Sequence, residues 1–507
     1  LSVADGPEYE ALGLSLRGMV HKLFKNHFEE ELEIFQNEHD KLISTARKTM
    51  LQLLDCEPPV EEQPVSLAWY KRLFSPGTKS KIPASMGVED HDTIIDRKIE
   101  CAIADEDYLM RACGRALQTI INAFRGKQGF LPRDSEMLVE AAIILFSNSY
   151  GAEQIRSSMT EQFFRAAEME GFTRLPVQRE PVVFNVKGAS AAGKSTIRPQ
   201  QRELAQRLGI PWDTFALVSP DYWRKYLLDY ESLDADHKYG AMLTGRELEI
   251  IDRKLDEYMA QKAEAGAMSH LLIDRFRFDS FSISDRSGSG SNLLSRFGER
   301  IFLFFMITPP EETVERAWKR GLSTGRYKAV DDLLYHNVEA YTGMPQLFFS
   351  WALSDKKVHW EFLDNDVSLG TQPRCAAFGW NDEMIVLDIS VLANIDKFRD
   401  INIEATAPEE VHKKSLHKHS FDFLLQCTDR LSVLSFANFE SSEICAQMKN
   451  GKWLWCDHDY IEMLDDQIDL KAGFKALGWS RQCAPNEVSK PISNRNDTAK
   501  YMLGNKV

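Results

Sequence analysis

One stretch, "VVFNVKGASAAGKST" (182–196), constrains the fold of this chain more than any other. Its apolar start, Val182 to Val186, reads as a buried strand. The run breaks at Gly188. Gly188-Ala189-Ser190-Ala191-Ala192-Gly193-Lys194-Ser195 then follows the pattern G-x-x-x-x-G-K-[S/T]. Beyond it, "IRPQQRELAQRL" (197–208) has the texture of an amphipathic helix, with Pro199 near the first turn, where a missing N–H costs little. The glycines permit backbone angles that a Cβ forbids, so successive N–H groups can turn toward one centre. The helix N-terminus adds partial positive charge. Lys194 supplies a mobile cation for β- and γ-phosphates, the Ser195 hydroxyl suits Mg2+, and Thr196 can reach an α-phosphate. An α/β unit that holds ATP with Mg2+ is therefore expected.

The surrounding chain agrees with that class. "FALVS" (215–219), "HLLID" (270–274), "RIFLFFMI" (300–307) and "VHWEFLDN" (358–365) are four further strand candidates, mostly with helical stretches between them. That alternation predicts a mostly parallel sheet sandwiched by helices. Upstream, residues 8–55 show apolar positions at helical spacing, Leu16, Met19, Val20, Leu23 and Phe24 among them. Residues 57–87 are rich in Pro, Ser and Gly and read as loop, and helical patterns resume near Asp96. At roughly 150 residues per domain, the 507 residues divide into a helical N-terminal domain (1–175), a phosphate-loop core (176–372) and a mixed, mainly helical C-terminal region (373–507). "EMIVLDIS" (383–390) is a further strand candidate. After about residue 400 helix is expected, with Phe421, Phe423, Leu424, Leu431 and Leu434 in its core.

Composition excludes several classes. With 43% hydrophobic and 27% charged residues the chain has material for a real core. A net charge of −15 disfavours tight, sequence-independent binding to nucleic acid or an anionic membrane. The longest apolar run, Ile301 to Ile307, is too short to span a bilayer. No signal-peptide pattern opens the chain, although its first residue is not Met. A cytoplasmic protein without a membrane partner is expected. Eight scattered cysteines without a CxxC pair read as reduced thiols, and Cys445, Cys456, His458 and Cys483 match no familiar zinc spacing.

Three features point from nucleotide binding to phosphoryl transfer. Asp221, in "LVSPDYWRKYLL", follows the second strand candidate at the end where such sheets place ligands. A carboxylate there can accept the proton of an attacking hydroxyl, and "SPDY" is also a good helix start. "ETVERAWKRGLSTGRY" (312–327) carries Arg316, Lys319, Arg320 and Arg326 on a helix and its exit. Arg316 and Arg320 share a face and can neutralise a transferring phosphoryl group, whereas a solvated basic face is the plainer alternative. "LLIDRFRFDSF" places Asp274 at a strand end ahead of Arg275 and Arg277. Asp274 can hold Mg2+ and the arginines an acceptor phosphate, or these charges can pair internally. No H-R-D or D-F-G set is present, which disfavours a eukaryotic-type protein kinase.

Taken in order, the glycine loop, Asp221 with Arg224, "LTGRELEIIDRKLDEYMAQKA", the arginine helix and "WEFLDND" resemble the zeta-toxin family of P-loop kinases, related in build to polynucleotide kinase, over roughly 180–370. Members phosphorylate a sugar hydroxyl of UDP-N-acetylglucosamine. The chain is more similar to a branch, found among effectors that bacterial pathogens inject into host cells, that phosphorylates NAD on the 3′-hydroxyl of its adenosine ribose. The shared signs are "SPDYWR", with Asp221 following Ser195 by 26 residues, and "DRFRFDSF". The resemblance implies ATP and Mg2+ as cofactors, Asp221 as base, Lys194, Ser195 and Thr196 at the ATP site, Arg275 and Arg277 against the dinucleotide, delivery into a host cell, and a small antitoxin or chaperone as partner. Residues 1–175 and the last hundred have no counterpart in it. UDP-N-acetylglucosamine kinase, polynucleotide 5′-kinase and an ATP-gated binding protein remain alternatives.

Overall fold

A computed structural model describes residues 11–55, 91–129, 131–172, 174–274, 294–324, 327–368, 370–412, 420–441, 443–463, 468–480 and 501–504. The chain divides into two compact units, Val20–Arg174 and a second made of Leu1–Met19 with Leu175–Val507.

The first unit is helical. Its helices Leu32–Leu54, His91–Ile103, Tyr108–Gln128 and Ser135–Phe146 bury Ala46, Met50, Leu54, Ile95, Ile99, Leu117, Ile121, Leu138 and Phe146 in one core. Local chemistry sets their ends. The Asp107 carboxylate accepts from the Leu109 N–H and that of Asp134 from the Met137 N–H, capping two helices. Gly129, at φ 75°, closes the Tyr108–Gln128 helix in the left-handed conformation that glycine takes without strain. The proline-rich 57–87 stretch lies outside the described residues.

The second unit is built on one sheet of ten described strands: β1 Val182–Lys187, β2 Phe215–Val218, β3 His270–Ile273, β4 Arg300–Ile307, β5 Lys357–Asp364, β6 Arg374–Trp380, β7 Glu383–Val386, β8 Val433–Ala437, β9 Ile444–Lys449 and β10 Lys452–Cys456. Their order is β10-β9-β8-β7-β6-β5-β4-β1-β3-β2. Of the six strands expected from the sequence, the first five, β1 to β5, all pair in parallel, and the sixth, within 383–390, is β7, antiparallel to β6. The parallel five are buried nearly throughout, as parallel strands covered on both faces must be. On one face Val183, Leu271, Ile301, Phe305, Trp360 and Phe362 join a core with Met259 of the Gly245–Glu264 helix and Tyr341 and Phe348 of the Val330–Ala352 helix. On the other, Phe184 packs its ring against Phe215, Phe302 and Phe304.

The C-terminal region departs from expectation. Helix was expected after about residue 400, but β8, β9 and β10 lie there and extend the same sheet through the parallel pair β7–β8. β8 and β9 bury a polar pair, Gln447 donating to the Ser435 hydroxyl at 2.9 Å, which breaks the apolar pattern and hides them. One signal was present in the sequence: Asn450-Gly451, at φ 47° and 73°, makes the tight turn of the β9–β10 hairpin. Phe421, Phe423, Leu424, Leu431 and Leu434 are all buried, with Leu434 on a strand and not on a helix. All six described cysteines are unbridged.

Candidate active site at the glycine loop

β1 lies between β3 and β4, and the chain leaves it toward β2 on one side and later reaches β4 on the other. That reversal makes the C-terminal end of β1 the switch point at which open α/β sheets bind ligands. The glycine loop occupies it. Gly188 is required by packing, since a Cβ there would stand 2.9 Å from the Met306 Cβ on β4. Ala191 at φ 62° and Gly193 at φ 88° turn the chain through left-handed geometry. At Gly193 a Cβ would fall 2.4 Å from Asn365 Nδ2 and 3.6 Å from Arg316 Nη1. The bare backbone at this point is thus crowded by an amide and a guanidinium.

The loop is braced from below. The buried Ala192 carbonyl accepts from Asn365 Nδ2 at 2.8 Å and from the Thr308 hydroxyl at 3.1 Å. Asn365 follows β5 and Thr308 follows β4, so the ends of two neighbouring strands fix one peptide of the loop. Lys194 bends back across it, Nζ donating to the carbonyls of Gly188 at 3.1 Å and Ala189 at 2.8 Å. Ser195 and Thr196 are exposed, and the Thr196 hydroxyl donates to the Gly193 carbonyl at 2.7 Å. The regular helix Arg198–Arg207 starts later than the motif implies. Pro199 explains this: without an N–H it cannot bond the Ser195 carbonyl, so helical pairing begins only past that turn.

The expected catalytic residues gather at the same edge of the sheet. Asp221 lies in the first turn of the Pro220–Leu227 helix, just beyond β2; its side chain lies outside the described residues. Asp274 follows β3, its N–H donating to the Val218 carbonyl of β2 at 2.9 Å. Its carboxylate pairs with Arg198 at 3.4 Å, both side chains 14% exposed. That partner, in the first turn of the loop's own helix, was not among those expected. Arg275, Arg277 and Arg326 lie outside the described residues.

Arg316 and Arg320 sit on the Pro310–Thr324 helix. Arg316 donates to the carbonyls of Asn365 at 2.7 Å and Val367 at 3.2 Å, so it holds the segment after β5 against the glycine loop. Lys319 points to solvent and pairs with Glu315, as a solvated face would. Arg320 and Arg224 both press on the ammonium of Lys328 electrostatically. Lys328 meets His336 on the next helix, Val330–Ala352. Among the described residues no group of three or more His, Cys, Asp or Glu forms a metal cluster, and no helix is long and apolar enough to cross a membrane.

Sequence reasoning missed Thr308, Asn365, Lys328 and His336. Asn365 stood in the "WEFLDND" segment at a strand end, which is a usable signal. Thr308, directly after "RIFLFFMI", carried the same signal, and nothing local marks Lys328 or His336. No protein-family model matches the chain, and no curated protein matches it.

Proposed function

We propose that the chain is a P-loop kinase that transfers the γ-phosphate of ATP to a ribose or sugar hydroxyl of a small nucleotide, with the 3′-hydroxyl of NAD as the favoured acceptor. The observation that carries the reading is the loop itself: bare at Gly193, pinned through Ala192, and crossed by Lys194 at the switch point of the sheet. Its residues fit a triphosphate. The exposed Ser195 hydroxyl fits Mg2+, with Asp274 at the next strand end; the ion would screen phosphate charge there.

In this reading Lys194 exchanges its two carbonyl partners for phosphate oxygens. Asp221 accepts the proton of the acceptor hydroxyl as that oxygen bonds to the γ-phosphorus and the bond to the β-phosphate oxygen breaks, releasing ADP. Arg320 neutralises charge on the moving group, and Arg316 keeps the loop in shape. Choice of NAD rests on the similarity of "SPDYWR" and "DRFRFDSF" to the NAD-directed branch. A toxin or translocated effector restrained by a small partner protein belongs to the same proposal. Incubation with ATP, Mg2+ and NAD should add one phosphate to the adenosine ribose, read by mass and phosphorus NMR. Phosphate on UDP-N-acetylglucosamine instead would keep the mechanism and overturn the acceptor. ATP bound with no transfer to either, or to a DNA 5′-end, would overturn the kinase.

A further inference from the structure

Residues Tyr501–Gly504 lie in a groove of the second unit, and side chains from three places hold their backbone. Glu361 on β5 accepts the Leu503 N–H at 2.6 Å on one carboxylate oxygen and the Gly504 N–H at 3.0 Å on the other. Gln372, in the connection from β5 to β6, donates to the Leu503 carbonyl at 2.8 Å. Arg207, in the last turn of the Arg198–Arg207 helix, donates to the Met502 carbonyl. Both peptide groups between Met502 and Gly504 are thus bonded at their N–H and at their carbonyl by side chains. The rest is shape. The Tyr501 ring lies against those of Trp380, Phe302 and His359, and Met502 and Leu503 are buried. At 504 only glycine fits, since a Cβ would fall 2.6 Å from Leu363 Cδ2 and 3.0 Å from the Cys375 nitrogen. Captured backbone for affinity and side-chain pockets for selectivity are how proteins bind extended peptides.

Glu361 shows that the groove is shaped for an occupant. Its side chain is fully buried, and among the described residues only His359 and the two N–H groups of the segment meet it. A buried carboxylate needs such donors, so its place on the sheet makes sense with the segment seated.

The groove also reaches the glycine loop by two routes. The helix after the loop is held near its start by Arg198 on Asp274, and Arg207 gives its far end a second hold, on the seated segment. The connection from β5 to β6 begins at Asn365, which pins Ala192 of the loop, and carries Gln372 toward its other end. Stiff elements bonded at both ends can carry such a coupling.

We propose that the groove bounded by Arg207, Glu361, Gln372 and Trp380 is a peptide-docking site, filled by the chain's own Tyr501–Gly504, and that filling it steadies the helix behind the glycine loop and so strengthens the loop's hold on nucleotide. The docking stands on its own contacts. Its effect on nucleotide rests on the reading that this loop holds ATP.

Hydrogen exchange and titration calorimetry of the full chain test this. Gly504→Val should release the segment, and amides of 200–208 should then exchange at least about fivefold faster, with the Tyr108–Gln128 helix unchanged. A synthetic peptide of residues 501–507, Tyr-Met-Leu-Gly-Asn-Lys-Val, should bind the variant and slow that exchange again. Wild type should bind the peptide at least about tenfold more weakly, because its own tethered segment competes at high effective concentration. With Mg2+ and ATP, the variant should bind about threefold or more weakly than wild type, and the peptide should restore the affinity. If a thermal melt shows that Gly504→Val does not fold, Tyr501→Ala takes its place. Unchanged exchange at 200–208, or a variant that does not bind the peptide, overturns the proposal. So does equal peptide affinity in wild type and variant, since the groove would then not be filled by the chain's own segment. Exchange that responds while ATP affinity does not overturns the link to nucleotide and upholds the docking site. Wild-type protein that binds no ATP overturns the kinase, and the exchange and peptide results then decide the docking site.

Discussion

The outer face of β5 is covered by the chain's own distant C-terminal segment, and Glu361 is the residue that holds it. Glu361 and His359 lie on the same face of β5 and are fully buried, with His359 Nε2 3.2 Å from Glu361 Oε1. Oε1 accepts from the Leu503 N–H at 2.6 Å and Oε2 from the Gly504 N–H at 3.0 Å. Tyr501 stands edge-on to Trp380 at 5.1 Å, and Met502 and Leu503 are buried. Gly504 fits because a Cβ would fall 2.6 Å from Leu363 Cδ2. Glu361→Gln keeps the shape but turns an amide N–H₂ toward a backbone N–H. One buried donor then loses its acceptor, at about 1–3 kcal/mol, and the remaining bonds lose their charge assistance. A total of about 2–3 kcal/mol is expected. Urea unfolding followed by tryptophan fluorescence measures it, with Trp380 beside the docked segment as reporter. A variant truncated after residue 500 supplies the control. With both N–H groups gone, Glu361→Gln should cost far less there, giving a coupling of about 2 kcal/mol. A change below about 0.5 kcal/mol in the full chain, the size of an ordinary surface substitution, or equal effects in both backgrounds, would refute the reasoning.

Two further outcomes follow from the geometry. Gly193→Ala drives a Cβ into Asn365 Nδ2 at a φ of 88°, so ATP affinity should fall at least tenfold while the melting temperature moves little, as calorimetry and a thermal melt would show. His270 accepts from the Val182 N–H at 2.9 Å, and burial followed by the charge of Arg300 pushes its pKa down to about 4. The unfolded state then takes the proton first, so this contribution is whole above pH 6.5 and is lost as pH falls toward 4. Asp396, raised to about 6 chiefly by burial, slopes the other way. Between pH 6 and 4.5 the wild type should therefore lose about 2 kcal/mol more than His270→Gln, measured by urea unfolding at each pH.

The parallel half of the sheet was legible because buried parallel strands are continuous apolar runs, and "RIFLFFMI" can be little else. β8 and β9 were not, because a buried Ser435–Gln447 pair erases the pattern; only Asn450-Gly451 announced the hairpin. The glycine loop was legible because its chemistry is local: two glycines, one lysine and the Ser195 hydroxyl within eight residues. Its bracing was not. Asn365 and Thr308 reach Ala192 across 173 and 116 residues, contacts that only the finished sheet brings about. A second job of Arg316 was hidden for the same reason. On the helix it read as a phosphate ligand, and the fold gives it the carbonyls of Asn365 and Val367 to hold.

A kinase with Asp221 as base binds ATP at this loop in order to transfer its γ-phosphate. The most direct measurement compares wild type and Asp221→Asn for ATP affinity and for single-turnover phosphate transfer to NAD. Equal ATP binding and a transfer rate lower by roughly 10²–10⁴ in the variant are expected. Equal rates in the two proteins would contradict it.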